Sequence, residues 1–131
     1  MYKPTTKILI VDDMMTMRKL VKKSLQVMGY SIFEEAADGQ LAWAKLNEIP
    51  DVGLIISDWN MPNCTGLDFL KRVRSDTRFK VLPFLLLTAE GEVAQVKEAL
   101  AAGVDNYVLK PFTQDSLKEK LEQAYKKRPQ T

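Results

Sequence analysis

The chain has 131 residues, 46% of them hydrophobic, which is the size and composition of one domain with a buried core. Its 19 basic and 17 acidic residues give a net charge of +2 and are interleaved, which argues against nucleic acid as a partner. The chain has one cysteine and no histidine, which excludes an internal disulfide, a histidine-based catalytic triad and a histidine-rich zinc site.

Neither membrane insertion nor secretion is expected. The first seven residues are mostly polar, and the longest apolar run, Val81 to Leu87, contains Pro83. That run is roughly a third of the length that a membrane span needs. The single cysteine, Cys64, is compatible with a reducing compartment. We therefore expect a cytoplasmic protein, and we expect it to be a monomer.

Strand and helix patterns alternate from the start of the chain. Residues 8–11 predict a first strand, and apolar side chains at helical spacing predict a helix over 17–28 that stops at Gly29. Residues 31–36 predict a second strand. The apolar positions that follow predict a second helix, which ends before Pro50 because the residue before a proline disfavours helical geometry.

The middle of the chain repeats this alternation. Residues 52–57 predict the third strand, and a loop over 58–66, with proline and glycine in it, leads to the third helix. The fourth strand, 84–87, precedes a helix that Gly103 stops.

The last predicted elements complete the architecture. Residues 107–109 predict a fifth strand, and Thr113 can cap the final helix. Strands and helices at this rhythm imply right-handed crossovers and a parallel sheet covered on both faces. We therefore predict the α/β class, as a (βα)5 doubly wound fold in one domain over 1–131 whose core covers about 7 to 126.

Polar side chains stand at the ends of four of these strands. The carboxyl ends of parallel strands share one edge of an open sheet, so we expect these side chains to converge there. Carboxylates suit a hard divalent cation, whereas an ammonium and a hydroxyl suit phosphoryl oxygens. The candidate site consists of Asp12, Asp13, Asp58, Thr88 and Lys110.

Each of these residues also has a structural explanation. Asp12 and Asp13 could form a turn and a helix cap, and Asp58 could begin a tight turn. A threonine that closes a strand, like Thr88, is ordinary, and Lys110 could simply begin a loop. Taken together in this order, Asp12, Asp13 and Asp58 favour a metal site over the separate explanations.

Short segments of the chain also occur together in a known family. They are Val-Asp-Asp at 11–13, Ser-Asp-Trp-Asn-Met-Pro-Asn at 57–63, Leu-Thr-Ala-Glu at 87–90 and Tyr-Val-Leu-Lys-Pro-Phe-Thr at 107–113. In this order they resemble the receiver domain of two-component response regulators, particularly those of chemotaxis. The resemblance extends from about residue 7 to residue 126, and it implies a flavodoxin-like sheet with the family's strand order, 2-1-3-4-5.

The resemblance implies a phosphorylation site and its metal. Asp58 would accept a phosphoryl group from the phosphohistidine of a partner histidine kinase, a donor that this histidine-free chain cannot supply. Mg²⁺ would be bound by Asp13, Asp58 and the backbone carbonyl of Asn60, with Asp12 reaching it through water. The metal would offset the repulsion between crowded carboxylates and an incoming phosphoryl group.

The resemblance also implies a signalling switch in place of an enzyme. Thr88 and Lys110 would bind phosphoryl oxygens, and Tyr107 would turn inward in response. Glu90 and Lys120 would share the output surface with Tyr107. In the chemotaxis group that surface binds the flagellar motor switch protein, and a phosphatase is a further expected partner.

One departure from the family concerns this surface. Gly91, Glu92 and Val93 follow Glu90, where the chemotaxis regulators of enteric bacteria have alanine and two lysines. The replacement removes positive charge from the predicted output face. It leaves the residues of the candidate site unchanged.

Three alternatives remain open at this point. A receiver in a phosphorelay or another non-motor pathway would have the same site residues. An aspartate-dependent phosphatase would need a second Asp where this chain has Asn60. A flavodoxin would place a Ser/Thr/Gly-rich phosphate loop after the first strand, where this chain has two aspartates and two methionines at 12–15.

Overall fold

The computed structural model describes residues 1–89 and 93–128, and it confirms the α/β class and the alternation of strands and helices. The strands are β1 (Lys7–Val11), β2 (Ile32–Ala36), β3 (Val52–Asp58), β4 (Phe84–Ala89) and β5 (Asn106–Lys110). The helices are α1 (Met15–Val27), α2 (Gly39–Glu48), α3 (Gly66–Ser75), α4 (Val93–Ala101) and α5 (Gln114–Lys127).

The five strands form one parallel sheet in the order β2-β1-β3-β4-β5. This is the order that the family resemblance implied. The central strands β1, β3 and β4 are almost continuously apolar, as expected of parallel strands with helices on both faces. None of the helices in the described part of the chain is long and apolar enough to cross a membrane.

Two apolar cores cover the two faces of the sheet. Alternate residues of β4 point to opposite faces, so that Leu85 belongs to one core and Leu86 to the other. The first core includes Val21 of α1 and Leu117 of α5. The second core includes residues of α2, α3 and α4, and Phe69 of α3 lies in it fully buried.

Predicted helix boundaries agree closely with the structure. Gly29 and Gly103 follow α1 and α4 with φ angles of 105° and 96°, a left-handed geometry that glycine adopts without strain. Thr113 caps α5 as predicted, because its hydroxyl accepts a hydrogen bond from the backbone N–H of Ser116. Helix α1 differs, since its N-cap is Met14 and no side chain caps it.

Four of the five strands are one or two residues longer than predicted, whereas β2 is one residue shorter, and the extensions of β3, β4 and β5 matter for the site. Asp58 and Lys110 are the last residues of β3 and β5, and Thr88 is the next-to-last residue of β4. Each is paired in the sheet: Asp58 lies opposite Leu87, and Thr88 opposite Leu109. The backbone of these residues is therefore fixed by the sheet, while their side chains stand at its edge.

Candidate functional site

Three carboxylates meet at the carboxyl end of the two central strands β1 and β3. Asp12 and Asp13 directly follow β1, whose last residue, Val11, pairs with Ser57 beside Asp58. One carboxylate oxygen from each aspartate lies within 4.8 Å of the other two. Asp12 and Asp58 are buried, whereas Asp13 is exposed. The cluster is thus accessible to solvent at Asp13.

Lys110 joins this cluster from the edge strand β5. Its Nζ donates to Asp58 Oδ1 at 2.8 Å and to Asp12 Oδ2 at 3.3 Å. The peptide bond between Lys110 and Pro111 is cis. One ammonium group therefore bridges two of the three carboxylates, and the cluster keeps a negative charge.

The pKa shifts describe an acidic site that is short of positive charge. Burial raises the pKa of Asp12, and the charge of Asp58 adds to that effect. Hydrogen bonds from Met14 N–H and Lys110 oppose the rise without cancelling it. Burial by itself would lower the pKa of Lys110, but its hydrogen bonds and charge interactions with Asp58 and Asp12 raise it above its usual range. Lys110 therefore stays charged.

Asp58 accepts hydrogen bonds from both of its neighbours in the chain. Its Oδ1 accepts a hydrogen bond from the Trp59 N–H at 2.9 Å, and its main-chain carbonyl accepts one from the Ser57 hydroxyl at 3.0 Å. Trp59 is itself buried, with 6% of its surface exposed. The carboxylate is therefore fixed before any ligand arrives.

Gly66 lets the loop after β3 close tightly beneath Asp58. Its N–H donates to the carbonyl of Trp59 at 2.9 Å. A Cβ atom at this position would lie 2.2 Å from the main-chain oxygen of Asp58, a distance that no side chain tolerates. The sequence predicted Gly66 only as loop punctuation. A glycine at the start of a helix was the available signal, but the close approach itself appears only in three dimensions.

Thr88 lies beside the cluster and is almost fully buried, with 2% of its surface exposed. Its hydroxyl donates to Gln95 Oε1 on α4 at 3.4 Å. Sequence analysis did not identify Gln95, since nothing in the helical pattern of α4 distinguishes it from other polar positions. The contact links the site to a helix that contributes no residue to the acidic cluster.

The remaining predicted residues occupy the loop after β3 and the face around β5. Asn60 is exposed, two residues after Asp58, and the metal contact predicted for its carbonyl stays a prediction. Tyr107 is half-buried, and Lys120 Nζ lies 4.9 Å from its ring centre. Both residues line a cleft of about 320 Å³ between β5 and the start of α5. Glu90 lies outside the described residues.

The donor set of the cluster fits a hard divalent cation. All three side chains offer carboxylate oxygens, the ligands that Mg²⁺ and Ca²⁺ prefer. The raised pKa of Asp12 reflects burial that a nearby cation would offset. A positive ion at this place would therefore relieve the electrostatic cost of the cluster.

Sequence comparison agrees with this geometry. The sequence model of the response regulator receiver domain family matches residues 8–122, which is most of the chain. The chain belongs to the response regulator receiver family. Receiver domains bind Mg²⁺ in an acidic pocket, and this chain has an acidic cluster formed by Asp12, Asp13 and Asp58.

The receiver domain is similar to chemotaxis proteins over most of its length. It is 52% identical to chemotaxis protein CheY1 of Helicobacter pylori, over 88% of this chain and 94% of that protein. It is 46% identical to the CheY homologue of Campylobacter jejuni, over 88% of this chain and 89% of the relative. The solved structure of CheY4 of Vibrio cholerae superimposes with a TM-score of 0.82 and 38% identity, covering 92% and 98% of the two chains. The predicted family and the CheY type are thus confirmed.

Proposed function

We propose that this receiver domain is a phosphorylation-controlled switch in chemotaxis signalling, and that it is not an enzyme with an external substrate. Asp58 accepts a phosphoryl group from a histidine kinase, and Mg²⁺ assists. The principal support is the convergence of three carboxylates with Lys110, whose Nζ lies 2.8 Å from Asp58 Oδ1. Positioning and charge stabilisation are the main needs of phosphoryl transfer, and this arrangement supplies both.

Asp58 is the nucleophile in this proposal. Hydrogen bonds from Trp59 N–H and Lys110 both end on Oδ1, which directs us to Oδ2 as the attacking oxygen. A new Oδ2–P bond forms while the P–N bond of the phosphohistidine breaks, and the bonding electron pair leaves with the imidazole. The product is an aspartyl-phosphate on the chain.

The neighbouring carboxylates hold the metal. Asp13, Asp58 and the main-chain carbonyl of Asn60 would bind Mg²⁺, and Asp12 would contact it through water. When bound, Mg²⁺ supplies positive charge that offsets the repulsion between the carboxylates and the phosphoryl oxygens. Asp13 is the exposed member of the cluster, so it is the carboxylate that an arriving cation meets first.

The switch follows from two charge-assisted hydrogen bonds. Lys110 moves from Asp58 to a phosphoryl oxygen, and Thr88 donates its hydroxyl to another. Each bond contributes about 1.5–3 kcal/mol, and moving a population from 1:99 to 99:1 requires about 5.5 kcal/mol. Two bonds are therefore of the required order. Tyr107 turns inward in response and changes the face that Lys120 shares.

Labelling with acetyl phosphate tests the covalent step. Intact-mass measurement should show one phosphoryl adduct that hydroxylamine removes, because an acyl phosphate is labile to that nucleophile. Peptide mapping should place it on Asp58, and Asp58→Asn should abolish it. Asp68→Asn, at an exposed aspartate of α3, is the matched control and should label like the wild type. Stable labelling of a serine or threonine, with none on Asp58, would overturn the proposal.

The proposed partners rest on the family resemblance, on the similarity to chemotaxis proteins and on the predicted output face. A chemotaxis-type histidine kinase is the proposed donor, the flagellar motor switch protein is the proposed target, and a phosphatase removes the signal. All of these steps take place in the cytoplasm. Phosphotransfer profiling against the histidine kinases of the source organism tests the assignment, since preferred transfer from a non-chemotaxis kinase would favour the phosphorelay alternative.

A further inference from the structure

Arg18, in the first turn of α1, contacts the acidic site without belonging to the carboxylate cluster. Its Nη1 donates to the main-chain carbonyl of Asp12, and its Nε donates to Glu35 Oε1 at 3.0 Å. Its side chain is 16% exposed. We propose that Arg18 is a positioning residue, which fixes the turn between β1 and α1 so that Asp12 and Asp13 are presented to the cation.

Asp12 is held by hydrogen bonds at four of its polar groups, and Arg18 is the partner of one of them. The Asp12 N–H donates to the Ala36 carbonyl at 3.1 Å, Oδ1 accepts from the Met14 N–H at 2.9 Å, and Oδ2 accepts from Lys110 at 3.3 Å. The carbonyl is the group that Arg18 binds. This carbonyl belongs to the peptide unit that joins Asp12 to Asp13. The hydrogen bond from Arg18, called the clamp below, therefore also sets the direction in which the chain leaves β1 at Asp13.

No side-chain cap fixes the turn at the start of α1. Helices usually begin with a side chain that caps the first backbone N–H groups, but the N-cap Met14 makes no such bond. Arg18 does not replace the cap, because it only donates, but it bonds the turn from within the helix through the Asp12 carbonyl. The turn that carries two of the three carboxylates is therefore secured by a side chain six residues after Asp12.

The guanidinium group is itself anchored to the neighbouring strand. Glu35 lies on β2 opposite Ile10 of β1, and its second oxygen, Oε2, accepts from Lys22 at 2.8 Å. Arg18 thus joins a strand, a helix and the turn by a planar group with several donors. Lys22 contacts the same carboxylate, but in this network only Arg18 bonds to Asp12.

Charge and positioning have opposite effects on metal binding. A fixed cation near the cluster repels Mg²⁺, so removal of its charge alone would strengthen binding. Loss of the clamp would weaken binding, since it frees the turn. Mg²⁺ requires near-ideal octahedral geometry, whereas Ca²⁺ tolerates irregular sites. Loss of positioning should therefore cost more Mg²⁺ affinity than Ca²⁺ affinity.

The test compares Arg18→Met with Lys22→Met, and it rests on the proposed Mg²⁺ site. Both variants remove one positive charge and one partner of Glu35, but only Arg18→Met releases the Asp12 carbonyl. We expect the Mg²⁺ Kd of Arg18→Met, measured by calorimetry, to rise about tenfold, as for other residues that orient metal ligands. The Ca²⁺ Kd should rise less, and Lys22→Met should change neither by more than about twofold.

A metal-free measurement accompanies the affinities. Hydrogen exchange at the Met14 amide should accelerate in Arg18→Met and stay unchanged in Lys22→Met. Arg18→Lys, which keeps the charge but lacks the planar fork, should bind Mg²⁺ with intermediate affinity, and it replaces Arg18→Met if that variant does not fold. Tighter binding of both cations by Arg18→Met, or unchanged affinities, overturns the positioning role. A wild type that binds no Mg²⁺ instead overturns the metal site itself and Arg18 with it.

Discussion

Lys110 Nζ lies 2.8 Å from Asp58 Oδ1, so the proposed phosphoryl acceptor is already paired with the cation that would register its modification. The two residues end strands β5 and β3, which are separated by β4. Phosphorylation of Asp58 would convert this ion pair into a contact between Lys110 and a phosphoryl oxygen. The same ammonium group can therefore respond to the unmodified and the modified carboxylate.

Lys110→Ala should separate phosphorylation from switching. The variant keeps Asp58 and the metal ligands, so acetyl phosphate should still label it. The modified state loses one charge-assisted hydrogen bond of about 1.5–3 kcal/mol, which lowers the ratio of the active to the inactive population by at least about tenfold. NMR of the Tyr107 ring measures that population, and Lys118→Ala on the exposed side of α5 is the control. If the phosphorylated variant shows the full Tyr107 rearrangement, Lys110 does not transmit the signal.

Mg²⁺ should change the fluorescence of Trp59. This indole is buried directly after Asp58, whereas Trp43 lies on α2 and packs against Phe79, with 5.9 Å between the ring centres. We expect a saturable change in emission that persists in Trp43→Phe. Asp13→Asn should weaken Mg²⁺ affinity at least about tenfold, because it removes a charged ligand. An emission unchanged by Mg²⁺, together with a flat calorimetric titration, would show that the cluster binds no metal.

Asp12→Asn should stabilise the metal-free protein at neutral pH. Burial raises the pKa of Asp12, so the folded state holds its proton more tightly than the unfolded state does. Asp12 therefore contributes stability that is fully present at pH below its usual pKa and is lost as pH rises through the raised pKa. The asparagine can still accept from the Met14 N–H, and Lys110 keeps its bond to Asp58.

The expected gain at pH 7 is about 1 kcal/mol, or about 4 °C in Tm. Thermal unfolding of both proteins without metal, as a function of pH, provides the measurement. The difference between them should close as pH falls through the raised pKa of Asp12. Saturating Mg²⁺ should reverse the order, since the wild type gains more from the metal. A variant less stable than the wild type at neutral pH would contradict the prediction.

The sequence predicted the elements and the position of the acidic cluster for a simple physical reason. Apolar periodicity predicts which faces of the elements are buried. The carboxyl ends of buried parallel strands lie at one edge of the sheet, so the residues that end or follow these strands are predicted to lie there. Asp12, Asp58 and Lys110 could be placed from these two facts. The strand order itself came from the family resemblance, because alternation fixes a parallel sheet without fixing which strands are neighbours.

Contacts between elements could not be predicted in the same way. The bond from Thr88 to Gln95 depends on how α4 is rotated about its axis relative to β4. Apolar periodicity predicts that rotation only within the width of the apolar stripe, which is too broad to identify a single polar contact. The 2.2 Å approach at Gly66 depends on the path of a loop. The bond from Arg18 to the Asp12 carbonyl depends on one rotamer of a long side chain.

Gln95→Ala should favour the phosphorylated conformation. In the structure the hydroxyl of buried Thr88 donates to Gln95, and the switch requires the same proton to bind a phosphoryl oxygen. Removal of the competing acceptor should tighten binding of beryllofluoride by about twofold to tenfold, the range expected of one neutral hydrogen bond. Lys97→Ala, on an exposed position of α4, is the control. Unchanged or weaker beryllofluoride binding by Gln95→Ala would show that the contact does not restrain Thr88.

The output face should bind the flagellar motor switch protein in a phosphorylation-dependent way. Lys120 Nζ lies 4.9 Å from the ring centre of Tyr107, and both residues line a cleft of about 320 Å³. An inward turn of the tyrosine would change the shape of that cleft. We expect the N-terminal peptide of the switch protein from the same organism to bind at least about tenfold more tightly when beryllofluoride occupies Asp58. Fluorescence anisotropy measures the affinity, and Asp58→Asn should abolish the difference.

Charge should modulate the same interaction. Glu92 and Val93 stand where enteric chemotaxis regulators have lysines, so replacing both by lysine should strengthen binding of an acidic peptide. The gain should shrink at high salt, because exposed charges are screened. Lys120→Met should weaken binding in both states, and Lys118→Met should leave it unchanged. Equal affinity of the switch peptide with and without beryllofluoride would rule out motor control and favour a non-motor phosphorelay.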